Sequence, residues 1–397
     1  MQRYVVVGGG LAGLTAANAL AGQGREVVLL EQSEHLGGRA MTRQDGGYLL
    51  NLGPHALQQG GVAAKTLRHW GVPFHGKSPD TSSASYVTHG GRLYPLILSA
   101  RELLTTRLFG AVEKLQAARI LQQMDRGTTM GESVAEWIER RAGSPKVRQF
   151  AAMLVRVSTF SADHSRLSAR AALDQYRRAR AHNVLYLDGG WQTLVTGLER
   201  RARELGVSIR LGETVESLEK ADADGIVLAV PPAVAERMTG CSLPAMYPSR
   251  LACLDLGLRT LPDAAARVSL GVDQPLYLSV HSAAASLAPA GAAVVHLAKY
   301  LTGATDAAAD RRELEQFADL AMPGWRKQAE LVRFLPNMTV TNAAFSTLGR
   351  PAVDEVRIPG VALAGDWVGP EGMLADAAVA SALSAAGMVQ RQRLRAA

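Results

Sequence analysis

The fold is decided by the stretch Tyr4-Val5-Val6-Val7-Gly8-Gly9-Gly10-Leu11-Ala12-Gly13. Its apolar run predicts a short buried strand that leads into a G-x-G-x-x-G turn and a helix beginning near Leu11. The glycines Gly8, Gly10 and Gly13 permit a tight turn and close approach of the backbone to a pyrophosphate. Free N–H groups of Leu11 and Ala12 would point at that charge. The stretch therefore predicts a dinucleotide site at the end of the first strand.

A second strand over 25–30 supports this interpretation. It ends at Glu31, 18 positions after Gly13. The carboxylate of Glu31 can accept hydrogen bonds from ribose hydroxyls, and we expect Gln32 to contact the same part of the nucleotide. The order of strand, glycines, helix, strand and acid predicts an α/β domain of the Rossmann type.

Bulk composition narrows the class of protein. The chain has 397 residues, of which 47% are hydrophobic, and this length favours two domains. Its two cysteines, Cys241 and Cys253, provide neither a disulfide framework nor a metal site, and a cytoplasmic location is the simplest expectation. The net charge of +7 comes from arginine clusters, which favour solvated helix faces, with peripheral membrane contact as an alternative. With only 5% aromatic residues, no nucleic-acid platform is expected.

Periodicity predicts a discontinuous arrangement of two domains. We expect the nucleotide-binding domain to comprise 1–75, 186–240 and 331–397, and an α+β substrate domain to comprise 76–185 and 241–330. Helices are expected first in the substrate domain, and then an antiparallel sheet that includes 251–258, 266–270 and 293–300. In the nucleotide-binding domain, strands are expected at 207–211 and 215–218.

Two further glycine segments follow Glu31. Gly37-Gly38-Arg39 leaves the backbone open to close approach, and its guanidinium can meet phosphate oxygens. Gly53-Pro54-His55 forms a stiff turn that could place His55 beside a flavin ring. A histidine in such a turn is a candidate for proton transfer, although a structural role is the more common one.

The carboxyl-terminal segment carries the stronger signal. An apolar strand over 361–364 ends at Gly365-Asp366, and a helix of small residues begins near Gly372-Met373-Leu374. Asp366 is placed to bind ribityl hydroxyls, and the helix N-terminus can stabilise negative charge on a reduced flavin. We expect Tyr277, Met373 and Trp367 to line the substrate site, and His55 or Asp376 to move a proton.

These anchors, together with Gly189-Gly190 and the helix after it, resemble the two-domain flavoproteins that include flavin amine oxidases, protoporphyrinogen oxidases and phytoene desaturases. The similarity covers nearly the whole chain. It implies FAD as cofactor, a glutathione-reductase-type Rossmann domain with a second α+β domain, and backbone contact from Val215 to the adenine side. The segments Gly53-Pro54-His55-Ala56-Leu57 and Leu374-Ala375-Asp376-Ala377 most resemble the phytoene-dehydrogenase-like members.

The resemblance implies an FAD-dependent oxidoreductase that transfers hydride from a carbon centre of a small hydrophobic molecule to flavin N5. A flavin amine oxidase is one alternative. Amine oxidases of this family typically carry an aromatic residue where Met373 stands and a lysine near the flavin. The strand 251–256 has no lysine, although Lys299 could substitute. A flavin-dependent isomerase or a non-redox flavin-binding protein is the other alternative.

Overall fold

The computed structural model describes residues 2–128, 131–218 and 223–391. Within them the strands are β1 (Arg3–Val7), β2 (Glu26–Leu30), β3 (Thr42–Asp45), β4 (Tyr48–Asn51), β5 (Leu57–Gln58), β6 (Gly76–Lys77), β7 (Ser85–His89), β8 (Arg92–Pro95), β9 (Val184–Leu187), β10 (Ser208–Arg210), β11 (Gly225–Leu228), β12 (Ser249–Leu258), β13 (Val268–Gly271), β14 (Leu276–Val280), β15 (Ala293–Leu301), β16 (Ala329–Thr341) and β17 (Val361–Leu363). The helices are α1 (Leu11–Ala21), α2 (Val62–His69), α3 (Ala100–Thr105), α4 (Ala111–Arg126), α5 (Val134–Arg141), α6 (Pro145–Thr159), α7 (Ala169–His182), α8 (Gln192–Glu204), α9 (Pro232–Thr239), α10 (Ala307–Ala321), α11 (Trp325–Gln328) and α12 (Ala375–Arg391).

A five-stranded parallel sheet forms the first layer, in the order β10-β2-β1-β11-β17. The strands β2, β1, β11 and β17 are mainly apolar on both faces, as a parallel sheet covered on both sides requires, whereas the edge strand β10 is partly exposed. Tyr4 and Val6 face a core shared with α1, α2, α8 and α12, whereas Val5 and Val7 face a second core shared with α9. The carboxyl ends of β1 and β17 therefore lie at one edge of the sheet, where both glycine motifs begin.

The second layer is a seven-stranded sheet in the order β16-β12-β15-β14-β13-β7-β8. Its pairs are antiparallel except for β13 with β7. One face packs against α10, and the other faces the helices α3 to α7. The face opposite α10 is thus the one that can contact both the nucleotide-binding domain and the helices α3 to α7.

Two smaller sheets connect the layers. The hairpin β3-β4 projects from the nucleotide-binding region, and β9 pairs with both β5 and β6. Thr42 and Asn51 of the hairpin accept hydrogen bonds from the first N–H groups of α8. A Cβ atom at Gly190 would lie 2.4 Å from the Thr42 hydroxyl oxygen. Close packing within the protein therefore explains why glycine is needed at position 190, just before this helix.

The expected strand at 215–218 is wrong. Gly212 adopts a left-handed conformation with φ of +69° and turns the chain after β10. Val215 and Leu218 then pack their side chains against the second core of the parallel sheet instead of pairing with a strand. The alternation of apolar residues in this segment reflects side-chain burial without a ladder of backbone hydrogen bonds.

The predicted domain boundaries stay a prediction, although one strand bears on them. β16 begins at Ala329 and pairs along its length with β12 in the second sheet. Residues 331–341, which we assigned to the nucleotide-binding domain, thus belong to the sheet of the other layer. The chain returns to the parallel sheet only at β17.

Candidate cofactor and substrate site

The glycines of the first turn serve two different purposes. A Cβ atom at Gly13 would lie 1.7 Å from the carbonyl oxygen of Gly8, so Gly13 is required for close packing of helix on strand. At Gly10 the nearest atom to an added Cβ is 4.0 Å away, and its φ of −75° suits any residue. A Cβ atom added at Gly38 would meet Gly10 Cα at 3.8 Å, so the two glycines lie side by side. The protein itself gives no steric reason for glycine at position 10.

Glu31 lies at the end of β2, as predicted. Its carboxylate accepts hydrogen bonds from the backbone N–H groups of Gly9 and Ser33, one at each oxygen. Each oxygen keeps a further lone pair, so these bonds orient the carboxylate without exhausting its capacity. Gln32, beside it, is exposed. The backbone of Glu213 donates to the carbonyl of Glu31, which brings the Val215 segment to this side of the sheet.

Arg39 and Asp366 form a direct pair that the sequence did not predict. Two hydrogen bonds of 2.7 and 2.8 Å join the guanidinium to both carboxylate oxygens. Asn342 adds its backbone N–H and its side-chain amide, each at 3.2 Å from an Asp366 oxygen. Burial alone would raise the pKa of Asp366, but the charge of Arg39 and the hydrogen bonds from Arg39, Thr341 and Asn342 together outweigh burial and lower this pKa below its ordinary value. The two predicted cofactor ligands thus meet at one point.

Arg350 is a residue that sequence reasoning missed. Its guanidinium donates to the carbonyls of Asp366, Gly369, Glu371 and Gly372 at 2.9 to 3.1 Å. Five N–H donors in one rigid fork suit such a set of acceptors. The contact fixes the loop between β17 and α12. Arg350 lies in an irregular segment, and no pattern marks it in the sequence.

The start of the last helix is strained. Leu374 has a φ of +56°, an unusual conformation for a residue with a side chain. Gly372 before it has a φ of +68°, and a Cβ there would lie 2.8 Å from the Cβ of Asp376. Met373 is buried and Leu374 is half-buried, both against the helical cluster of the second sheet. Backbone strain held by packing is common where a protein positions a ligand.

The Gly53-Pro54-His55 turn packs against the second sheet. A Cβ at Gly53 would lie 2.9 Å from the Cys253 sulfur and 2.8 Å from Met338 Cε. His55 packs edge-on against Trp191, with ring centroids 5.0 Å apart, and its Nδ1 lies 3.1 Å from the Gly53 carbonyl oxygen. Burial lowers the pKa of His55 to about 4. The imidazole is therefore neutral at physiological pH.

Aromatic residues cover the face of the second sheet beside this turn. Tyr277 and Tyr300 both lie within 6.0 Å, centroid to centroid, of Phe160 at the end of α6. Cys253 and Met373 belong to the same buried cluster. Burial raises the pKa of Tyr277 well above its ordinary value, so its hydroxyl stays protonated. Cys253, Tyr277 and Met373 thus belong to one buried cluster, with Leu374 and the Gly53 turn packed against it.

Trp367 and Asp376, which we predicted to act at the substrate site, lie outside this cluster. Trp367 is buried in the core on the α9 side of the parallel sheet, and its indole N–H donates to the Val230 carbonyl. It therefore does not line the same cluster as Tyr277, and the prediction is wrong, because the chain turns inward after Asp366.

Asp376 also has a different role. Its carboxylate accepts a hydrogen bond of 2.9 Å from the backbone N–H of Ala63, near the start of α2. A carboxylate at that end of a helix satisfies a free N–H group and complements the helix dipole. Burial raises the pKa of Asp376 above its ordinary value. This contact attaches α2 to α12 and gives Asp376 a structural role, while proton transfer by Asp376 stays a prediction.

Sequence reasoning also missed a buried polar ladder across the second sheet. Arg333, Asp255, His296 and Ser279 occupy paired positions on β16, β12, β15 and β14. His296 Nδ1 lies 2.6 Å from Asp255 Oδ1, and Arg333 contacts the other oxygen of Asp255. These residues are isolated in separate strands, so only cross-strand register reveals them.

The residues present fit a flavin dinucleotide. Gly10 and Gly38 leave room for a pyrophosphate at the N-terminus of α1, where N–H groups face it. Glu31 suits the ribose, and Arg39 and Asp366 are a cation and an anion of the kind that bind phosphate and ribityl hydroxyls. The start of α12 provides a second helix N-terminus. Each part of FAD thus has a chemically suitable partner.

The model of the family described as flavin containing amine oxidoreductase matches residues 11–237. Since the match covers more than half of the chain, this protein belongs to that family. The membership confirms the predicted superfamily and FAD as the cofactor.

Individual curated relatives match this chain over only part of its length. An L-amino-acid oxidase from Pseudechis australis is 40% identical over 88 residues, which are 21% of this chain and 17% of that protein. The 4,4'-diaponeurosporene oxygenase of Staphylococcus aureus is 24% identical over 265 residues, which cover 55% of this chain and 50% of that protein. The chain therefore spans half or less of the length of these curated relatives.

Solved structures confirm the fold class. An oxidoreductase from Methanosarcina mazei superposes with a TM-score of 0.75 at 18% identity, covering 96% of this chain and 99% of the other. Among the described residues, no helix is both long enough and apolar enough to cross a bilayer.

Proposed function

We propose that this protein is an FAD-dependent oxidoreductase that removes hydride from a carbon centre of a small hydrophobic molecule. When bound, FAD would accept that hydride at its N5 atom. Family membership supports the redox class. The proposed preference for a hydrophobic substrate rests on the residues of this chain.

The observation that carries the proposal is the meeting of five segments at one apolar surface. The Gly53 turn touches Cys253 of β12, and Met373 at the start of α12 packs in the same cluster as Tyr277 and Phe160. Such a surface would bind apolar substrate by burial and would exclude water from the reacting carbon. We propose Tyr277 and Met373 as its lining.

The remaining residues would position the cofactor. Arg350 fixes the loop that carries Asp366 and Gly372, and the N-terminus of α12 offers positive potential to an anionic ring edge. Arg39 and Asp366 would bind the phosphate and the ribityl chain. His55 has one ring nitrogen at the Gly53 carbonyl and is neutral, so we propose that it orients the turn and keeps the capacity to accept a proton.

An amine oxidase is the second candidate, favoured by the L-amino-acid oxidase match. The place of Lys299 argues against it. In the described strands of the second sheet lysine occurs at this position alone, and its ammonium group pairs with Asp310 and Glu313 on the α10 side. Lys299 therefore faces away from Tyr277 and cannot replace a lysine beside the flavin.

We also propose peripheral contact with an anionic membrane surface by a cytoplasmic protein. Four of the eight exposed large hydrophobic residues in the described chain lie within 98–115, namely Leu98, Leu104, Val112 and Leu115. The exposed cations Arg101, Arg107 and Arg119 lie in the same helices and the connecting segment. Apolar side chains flanked by cations are typical of a helix that lies on an anionic bilayer. The free thiols of Cys241 and Cys253 are consistent with a reducing compartment.

Anaerobic titration of the flavin-loaded protein tests the reaction. Alkenes, alcohols and amines of increasing length would be added while the oxidised-flavin absorption band is followed. We expect bleaching by apolar alcohols or alkenes, with a product two hydrogens poorer. Bleaching by short polar amines alone would favour the amine oxidase, and product formation without bleaching or acceptor consumption would indicate an isomerase.

A further inference from the structure

Two buried histidines beside the apolar surface have unused ring nitrogens. His281 is 1% exposed, and neither Nδ1 nor Nε2 has a hydrogen-bond partner among the described residues. Its ring stacks on Tyr186, with centroids 3.7 Å apart and planes 11° apart. The Tyr186 hydroxyl is held in turn by Tyr277 and Ser279, each at 3.0 Å. The His281 ring is therefore held by ring packing and by no described side-chain hydrogen bond.

His296 offers a third ring nitrogen. Its Nδ1 lies 2.6 Å from Asp255 Oδ1, and its Nε2 has no hydrogen-bond partner among the described residues. Asp255 is held by Arg333, and that cation balances its charge. The two histidine rings lie edge to face with centroids 4.5 Å apart. Burial, with the nearby His296 and His55, lowers the pKa of His281 well below its ordinary value, so the His281 ring is neutral.

This pair lies at the edge of the apolar surface. Residues two apart on a strand share one face, so His296 faces the same side as Ala298 and Tyr300 on β15. Ser279, which pairs with His296, shares a face with Tyr277 on β14. The histidines thus form a polar end to the surface that carries Tyr277 and Tyr300.

Buried polar groups in folded proteins are nearly always hydrogen-bonded, because each unpaired one is costly. The neutral His281 ring provides one donor and one acceptor, and His296 Nε2 is a third ring nitrogen without a described partner. A hydrocarbon would leave all three unpaired, whereas a hydroxyl or a primary amine both donates and accepts.

We propose that His281 and His296 bind the single polar group, a hydroxyl or a primary amine, of a substrate that is otherwise apolar. This inference rests on the proposed function and narrows its substrate class. The Asp255–Arg333 pair acts as a positioning element, since Asp255 contacts His296 Nδ1 and leaves Nε2 free for the ligand.

The test is His281→Phe in the flavin-loaded protein. Phenylalanine keeps the stack on Tyr186 and breaks no described hydrogen bond, so the variant should melt at or above the wild-type temperature. Binding would be measured by calorimetry with octanol, octylamine and octane. We expect the affinity for octanol or octylamine to fall about tenfold, the effect of one hydrogen bond, and that for octane to change less than about twofold.

Two further variants complete the experiment. His281→Gln restores a donor and an acceptor and should recover most of the affinity. His89→Phe, in β7 of the same sheet, is the matched control and should change nothing. Equal affinity for octanol and octane in the wild type, or no binding of either polar probe, overturns the inference.

The inference and the proposed function can fail separately. If alkenes bleach the flavin while His281→Phe leaves octanol binding intact, the redox function stands and this binding role falls. If octanol binds through His281 but no compound bleaches the flavin, the polar end stands and the proposed reaction falls.

Discussion

Arg39 and Asp366 are 327 positions apart in the sequence and share two hydrogen bonds of 2.7 and 2.8 Å. The pair joins the segment after β2 to the end of β17, and so connects the two glycine motifs that the sequence presents separately. In the absence of cofactor each charge balances the other. We propose that FAD exchanges part of this pairing for phosphate and ribityl contacts.

Asp366→Asn should destabilise the protein. The Asp366 side chain is 5% exposed and that of Arg39 is 41% exposed, so we expect a loss of about 2 kcal/mol, below the ~3–5 kcal/mol of a fully buried pair. Urea unfolding of the apoprotein measures this. Asp319→Asn, in an exposed pair with Arg326, is the control and should cost about 0.5 kcal/mol or less. Equal effects of the two substitutions would contradict the account.

The same pair predicts a dependence on pH. Since the folded-state pKa of Asp366 lies below its ordinary value of 3.8, its stabilisation is present above that value and is lost as pH falls through the folded pKa. The stability difference between wild type and Asp366→Asn should stay constant from neutral pH to about pH 5 and shrink below about pH 4. A difference that grows on acidification would show that the carboxylate is not held by Arg39.

His55 should make the protein sensitive to mild acid. Its pKa falls from 6.5 in the unfolded chain to about 4 in the folded protein. The unfolded state therefore binds the proton first, and stability should decline as pH falls from about 6.5 to 4, by about 3 kcal/mol at most. Because other buried histidines contribute, the measurement is the slope that His55→Gln removes in unfolding experiments across this window. An unchanged slope would show that His55 is hydrated.

Gly10→Ala should separate cofactor binding from folding. The added Cβ has space and the backbone is unstrained, so the unfolding free energy of the apoprotein should change by less than about 0.5 kcal/mol. FAD affinity, measured by quenching of flavin fluorescence, should fall at least tenfold because the methyl group occupies the path of the pyrophosphate. Gly131→Ala, also in open space, is the control.

Gly13→Ala should give the opposite result. Its Cβ would collide with the Gly8 carbonyl oxygen, so we expect about 3 kcal/mol of destabilisation or failure to fold. If Gly10→Ala bound FAD as tightly as the wild type, the pyrophosphate would not lie at this turn.

Membrane contact can be tested with vesicles. The double substitution Leu104→Ser and Leu115→Ser removes side chains that are 70% and 74% exposed, and each should contribute ~1 kcal/mol to insertion. Cosedimentation with vesicles containing phosphatidylglycerol should fall about tenfold or more. Leu348→Ser, at an 85% exposed site elsewhere, should have no effect. Equal loss in both variants, or no binding by the wild type, would refute the proposed contact.

The local parts of the fold could be predicted from the sequence. β1, the turn, α1, β2 and Glu31 follow one another within 31 residues, and each has a periodicity or a glycine that specifies it. The same holds for β17, Gly365-Asp366 and α12. In these segments the local conformation determines which groups face the ligand.

The features that the sequence did not predict correctly depend on long-range packing. Nothing near Trp367 indicates which side of the sheet it will face, and Val215 alternates like a strand residue without a partner to pair with. The meeting of His281 and His296 depends on the register of β14 and β15 and on the stack against Tyr186 from β9. Arg350 acts through four backbone carbonyls, which have no signature in the sequence.

The central claim is that distant segments of the chain enclose one FAD between the N-termini of α1 and α12. The most direct measurement is the absorption spectrum of the purified protein, followed by denaturation and identification of the released chromophore. The account predicts a yellow protein that releases one FAD per chain. A colourless protein that fails to take up added FAD would contradict it.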